Sequence, residues 1–253
     1  MRCSFVKKSS KVVFLSSTCI SVIFFLCTLL LMLCYDVHPN PGPGSRTVNL
    51  CHINIRSLTT DKLDAIDTAL SNLCDIITLS ETYLTATSDV SALKLNGFKP
   101  IECLNRIGRI GGGVALYVKQ YILAERKKEY ELNGLEAMWH ELRICNKRLL
   151  LCTCYRPPNV GVDFWDRLSE SLELARQSTT NDILIIGDLN ADPNAYHGTK
   201  LKEFSDYNCM HINVHEPTRI TSHSSTILDQ IVSSRPNLVS NINIEPPVST
   251  IVQ

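Results

Sequence analysis

With 253 residues and 44% apolar content, the chain has enough material for one large core, which excludes global disorder. Lys+Arg and Asp+Glu each total 25, so there is no basic excess of the kind a charge-driven nucleic-acid binder shows, and from residue 43 onward 21 basic residues face 24 acidic ones. If the protein handles a phosphate backbone, it does so with a local site rather than a global field.

Residues 12–35, "VVFLSSTCISVIFFLCTLLLMLCY", carry no charge, and as a helix they are long enough to cross a hydrocarbon layer of about 30 Å. Lys7, Lys8 and Lys11 precede them, which favours a cytosolic N-terminus. The reading is an uncleaved membrane anchor, with a signal peptide as rival. "DVHPNPGPG" (36–44) breaks helix through Pro39, Pro41 and Pro43 and reads as a linker.

From residue 46 short strands alternate with a few helices. "TVNLCHINI" (47–55) predicts a strand, and "DKLDAIDTALSNL" (61–73) predicts a helix with Leu63, Ile66, Leu70 and Leu73 on one face. "CDIITLS" (74–80) reads as a buried strand ending at Glu81, and "GGGVALYVK" (111–119) as another whose glycines permit a bulge or close approach. "EAMWHELRI" and "KRLLLCTCYRP" pair as a hairpin around Asn146, followed by an amphipathic helix over 163–176. A strand in "DILIIGDLNAD" (182–192), a short helix near 199–206 and strands near 209–215 and 226–232 complete the pattern. Few helices among many strands favour a two-sheet α/β sandwich over a parallel dinucleotide-binding sheet, and no GxGxxG follows the first strand. Eleven scattered cysteines without a CxxC pair suit buried thiols in a reducing compartment.

Three strands end in acceptor side chains, Asn54, Glu81, and Asp188 with Asn190, and a fourth, "STILDQIV", carries Asp229. Strand alternation puts Asp188 and Asn190 on one side, with Leu189 turned into packing. Each alone is ordinarily a turn former or helix cap. Together, if the strand ends converge, they make an oxygen-rich pocket of the sort that holds Mg²⁺. Tyr155 in "CTCYRPPN" is either a satisfied strand tyrosine or a phenolic donor to that pocket.

The ordered segments "NIRSL", "DIITLSETYL", "GGGVALYVK", "LLLCTCYRPPN", "DILIIGDLNAD" and "PTRITSHSSTILDQIV" resemble the endonuclease/exonuclease/phosphatase superfamily. More narrowly, they resemble the apurinic-endonuclease-like domain of non-LTR (LINE-type) retrotransposons. "DVHPNPGP" similarly resembles the 2A-like ribosome-skipping signal, with His38 where that family has Glu. The resemblance implies a four-layer α/β sandwich, two packed mixed sheets flanked by helices, that nicks DNA with Mg²⁺ or Mn²⁺ for target-primed reverse transcription. It implies Glu81 with Asn54 beside it as the metal site, Asp188 orienting and deprotonating the attacking water, and Asn190 on the phosphate. Tyr155 becomes a donor to the phosphate or a tuner of Asp188, and Asp229 the carboxylate that orients a histidine. Arg106 and Arg109 are candidates for DNA phosphates, with a solvated surface loop as the alternative. The family's closing Ser-Asp-His strand is not found after "NIEPPV", so the expectation is a C-terminally truncated domain (47–253) with a vacant partner for Asp229, an open sheet edge and weak activity. Segments 1–35 and 36–46 would precede it. The domain would sit at a membrane if the N-terminal segment is retained, and in the nucleus or cytoplasm if released at Gly42/Pro43. A membrane-tethered lipid or inositol-phosphate phosphodiesterase of the same fold, and a non-catalytic binding module, are the alternatives.

Overall fold

The protein is described here by a computed structural model covering residues 12–15 (backbone), 47–145, 147–158, 160–161, 163–177, 182–195 and 198–244. Two six-stranded sheets dominate it. The first contains β1 (Val12–Leu15), β2 (Leu50–Asn54), β3 (Ile76–Ser80), β4 (Glu102–Leu104), β5 (Val114–Val118) and β14 (Ile242–Ile244), in the spatial order β14-β1-β2-β3-β5-β4. The second contains β6 (Leu123–Arg126), β7 (Ala137–Ile144), β8 (Lys147–Tyr155), β9 (Asp182–Asp188), β10 (His211–Ile212) and β13 (Asp229–Ser233), in the order β10-β13-β9-β8-β7-β6. Both sheets mix parallel and antiparallel pairs. A small hairpin of β11 (Arg219–Ile220) and β12 (Ser225–Thr226) stands apart.

Period-2 alternation divides each strand between two cores. Cys51, Ile53, Ile77, Leu79, Ala115 and Tyr117 pack outward against α1 (Thr60–Leu70) through Leu63, Ile66, Ala69 and Leu70. Leu50, Ile76, Val114, Leu116, Leu151, Leu184, Ile186 and Ile231 point the other way and fill the layer between the sheets. The outer face of the second sheet carries α2 (Asp163–Gln177) and α3 (Thr199–Tyr207), whose Phe164, Trp165, Leu168, Leu172, Leu201 and Phe204 cover Trp139, Cys152, Ile183 and Ile185. Helix, sheet, sheet and helix make the four layers expected.

Several boundaries differ from expectation for local reasons. Thr59 caps α1 by accepting the Lys62 N–H, and the helix ends at Leu70, where the Leu73 and Cys74 N–H groups both turn back to the Leu70 carbonyl. Leu73 thereby leaves the buried face and is 62% exposed. Gly111, Gly112 and Gly113 precede β5 rather than bulging inside it, with φ of 89°, 70° and 84°. β4, β6, β14 and the β11–β12 hairpin are too short or too polar to stand out as a periodic signal. The cysteines at 51, 74, 103, 145, 152, 154 and 209 are free thiols.

The N-terminal expectation is corrected in part. Val12–Leu15 opens the apolar run expected to be a membrane helix, but it is a strand, parallel to β2 on one side and β14 on the other. β2 is therefore paired on both sides, and the edges of this sheet among the described residues are β14 and β4. Among the described residues no helix is long and apolar enough to cross a membrane. The rest of the apolar run, the 2A-like block and the residues from 245 lie outside the described residues.

Candidate active site

The sheet register carries the acceptor residues to one end of the inter-sheet layer. Leu50, His52 and Asn54 share the inward side of β2, and Asn54 is opposite Ser80 on β3, one residue before Glu81. In the facing sheet Tyr155 is opposite Asp188 on β8 and β9, and Asp188 is opposite Asp229 on β13. The last inward positions of β2, β8 and β9 and the first of antiparallel β13 thus meet.

Hydrogen bonds join Tyr155, Glu81, Asn54 and Asp188 into one chain. Asn54 Nδ2 donates to Glu81 Oε1 at 2.8 Å and to Asp188 Oδ2 at 2.7 Å. Tyr155 donates its hydroxyl to Glu81 Oε1 at 3.0 Å, and Tyr83 donates to Glu81 Oε2 at 3.1 Å. Asn54 is therefore a donor that bridges two carboxylates; its Oδ1 accepts the Arg56 N–H at 3.3 Å. Glu81, Tyr83 and Asn190 hold φ of 55°, 58° and 45°, a left-handed conformation that non-glycine residues adopt rarely and at a cost of about 1–3 kcal/mol each. Five other non-glycine residues, Arg56, Ser57, Cys145, Cys209 and Asn241, share that conformation, so it is not peculiar to the site.

Asn190 departs from the alternation read off the sequence. β9 ends at Asp188, and the chain turns so that the Asn190 N–H donates to Asp188 Oδ1 at 3.1 Å, while its Nδ2 donates to the Arg156 carbonyl at 2.8 Å. Leu189 is buried as expected. What joins the two polar residues is an Asx-type turn, not a shared strand face.

Burial governs the electrostatics. It raises the Asp188 carboxyl to about 6 against the hydrogen bonds from Asn54 and Asn190, and with Asp188 alongside it raises Asp229 well above the carboxylate range. Burial, and then the Glu81 charge, raises the hydroxyls of Tyr155 and Tyr83 as well. Both therefore remain protonated donors. Two carboxyl groups pushed upward in one cleft are a candidate acid/base pair.

An imidazole lies near Asp229 without bonding it, and Asp229 Oδ1 has no hydrogen-bond partner among the described residues. His52 Nε2 lies 3.7 Å from Asp229 Oδ1, in a fully buried ring whose Nδ1 is 3.0 Å from Thr78 Oγ1 and whose Nε2 is 3.4 Å from Ser80 Oγ. Burial lowers that imidazole to about 3, so it is neutral. In the sequence His52 is simply an inward strand position; only the fold brings it to Asp229. Thr218, whose Oγ1 accepts the Asp229 N–H, and Arg219, which acts on the Asp188 charge, also come from the unanticipated hairpin region. Tyr83 was legible only as the neighbour of Glu81.

The two arginines part company. Arg106 is half-buried, its guanidinium bound to Glu136 at 2.5 Å and 5.6 Å from the Tyr155 ring centroid, beside the site. Arg109 is exposed on the preceding turn and makes no ion pair among the described residues. Also among the described residues, no group of three or more His, Cys, Asp or Glu side chains could by itself hold a metal ion.

A family profile described as Endonuclease/Exonuclease/phosphatase family matches residues 48–243. No curated protein matches the chain. Among solved structures, the catalytic domain of Xenopus laevis APE2 aligns at 17% identity and a TM-score of 0.57, over 74% of this chain and 82% of that one. The endonuclease domain of TRAS1, a telomere-specific non-LTR retrotransposon, aligns at 14% identity and a TM-score of 0.58, over 76% and 92%. An AP endonuclease from Archaeoglobus fulgidus aligns at 13% identity and a TM-score of 0.51, over 73% and 86%. These structures share the fold. With the profile spanning most of its length, the chain belongs to the endonuclease/exonuclease/phosphatase family.

Proposed function

We propose that this protein is a divalent-metal-dependent phosphodiesterase that nicks DNA, in the manner of a retrotransposon endonuclease exposing a 3′-OH for reverse transcription. The observation that carries the reading is the hydrogen-bonded chain Tyr155–Glu81–Asn54–Asp188, which spans both sheets at the mouth of the inter-sheet layer. TRAS1, whose endonuclease domain shares the fold over most of its length, supports the choice of DNA.

The donor set fits a hard cation. It offers carboxylate oxygen from Glu81 and Asp188, with Asn54 turned to donate to both and not to ligate, and Mg²⁺ is commonly held by one or two carboxylates while keeping several waters. Glu81 would hold Mg²⁺ or Mn²⁺, with Asn54, Tyr155 and Tyr83 fixing the carboxylate from behind. A metal bound there supplies charge neutralisation at the scissile phosphate and the departing oxygen. Asp188, raised toward neutrality by burial, accepts a proton from the attacking water. Asn190, tied to Arg156 and Asp188 through its carboxamide and N–H, orders the turn next to that base. Asp229, held at its main-chain N–H by Thr218, places a second carboxyl opposite Asp188, whose charge raises it. Arg106, steadied by Glu136, presents a cation beside Tyr155 for the phosphate.

The test is conversion of supercoiled to open-circle plasmid with Mg²⁺ or Mn²⁺, and its loss in Asp188→Ala. Release of inositol phosphate or lipid headgroup without nicking would replace DNA by a lipid substrate; neither activity would leave a binding module.

A further inference from the structure

Ile107 and Ile110 are 84% and 98% exposed, and Arg109 stands between them without an ion pair among the described residues. Single exposed apolar residues need no explanation. Two on one four-residue turn, nearly bare and flanking a free cation, are a different matter when the turn is held rigid. Glu136, itself buried, binds both of its ends: Oε1 accepts from Arg106 Nε and Oε2 from the Gly113 N–H, each at 2.5 Å. At the tip Gly108 has φ 75° and open space around it. The base of the turn abuts the candidate site, since the Tyr83 N–H donates to the Gly112 carbonyl at 2.9 Å and the Tyr83 hydroxyl to Glu81.

We propose that Ile107 and Ile110 form an apolar wedge that enters duplex DNA beside the scissile phosphate, with Arg109 on an adjacent backbone phosphate; this rests on the DNA-nicking reading above. Duplex DNA is the occupant the surroundings favour. The wedge projects from the rim of a phosphodiester site, and the cations at its root and tip, Arg106 and Arg109, match a phosphate backbone and not an apolar partner surface. Branched apolar side chains inserted at a base step unstack it and bend the duplex, and the bend brings more backbone against the protein. The Glu136 clamp supplies the stiffness insertion requires.

The test uses the full chain in EDTA, so that nothing is cut, with a duplex carrying 2-aminopurine at successive positions, and compares wild type with the Ile107→Ser/Ile110→Ser double variant and with Ile110→Ser alone. Wild type should raise the fluorescence of one unstacked position. The double variant should bind about tenfold or more weakly without that rise, and Ile110→Ser should fall between. Arg109→Ala should keep the rise at saturation and reduce the salt slope by about one. Unchanged affinity and fluorescence in the double variant would overturn the wedge, as would an equal loss on single-stranded DNA. Hydrolysis of bis(4-nitrophenyl) phosphate by wild type with Mn²⁺ separates the two readings. If wild type turns it over and nicks plasmid while the double variant binds duplex normally, the wedge alone fails; if wild type does neither, the nuclease reading fails and the wedge with it.

Discussion

Asn54 and Asp188 are 134 residues apart in sequence and on different sheets, yet the Asn54 carboxamide donates to the Asp188 carboxylate at 2.7 Å while its second N–H reaches Glu81. This donor is what allows two carboxylates to share one end of a buried layer. Asn54→Ala removes both bonds and leaves the carboxylates facing each other unscreened. Plasmid nicking should fall by about 10²–10³, the usual cost of losing one preorganised donor, with thermal stability reduced far less in proportion. Nicking within threefold of wild type would remove Asn54 from the machinery.

Glu81 is fixed by three donors, so its carboxylate enters the site already oriented. Glu81→Gln keeps the size and takes away the charge. Calorimetric titration should show Mn²⁺ affinity reduced by at least 10-fold to 100-fold, the range already seen when only a supporting residue of a metal site is lost. Equal affinity in the two proteins would place the metal elsewhere.

The raised carboxyl of Asp188 makes stability depend on pH in a definite direction. Its folded value, about 6, stands above the ordinary 3.8, so the folded state holds the proton more tightly than the unfolded chain. The stability this contributes is fully present below about pH 3.8 and is lost as pH rises through 6. Asp229, raised by burial and by Asp188, acts in the same direction. In chelator, the urea midpoint of wild type relative to Asp188→Asn should therefore fall between pH 4.5 and pH 7.5. Parallel pH profiles for the two proteins would refute the assignment.

Gly187 lies one residue before the base, where a side chain would drive into the Cys154 carbonyl of the neighbouring strand. Gly187→Ala must push β8 and β9 apart at the point where Tyr155 and Asp188 meet. A loss of about 1–3 kcal/mol in denaturant titration is expected, the range for overpacking a tight interior. Nicking should drop further than the unfolded fraction explains, because misplacement of about 1 Å costs roughly 10²-fold.

Legible in the residues alone were the two-sheet α/β class, the main strands and helices, Asn54, Glu81 and Asp188 as the polar ends of apolar strands, and Tyr155 and Asp229 as polar residues on two others. These follow from period-2 and 3.6-residue patterns, which are local and survive in the one-dimensional record. Which strand ends meet is settled by the folded sheets, because their register depends on partners more than a hundred residues away. Folding turned His52, indistinguishable from any inward strand residue, toward Asp229, and gave Asn190 an Asx-type turn in place of the strand continuation that alternation suggested. It left Leu73 exposed where the helix stops early, and paired the edge of β2 with Val12–Leu15. Strand pairing uses main-chain hydrogen bonds common to every residue, so the four apolar residues Val12–Leu15, open to helix or strand, acquire their form from the sheet edge they meet.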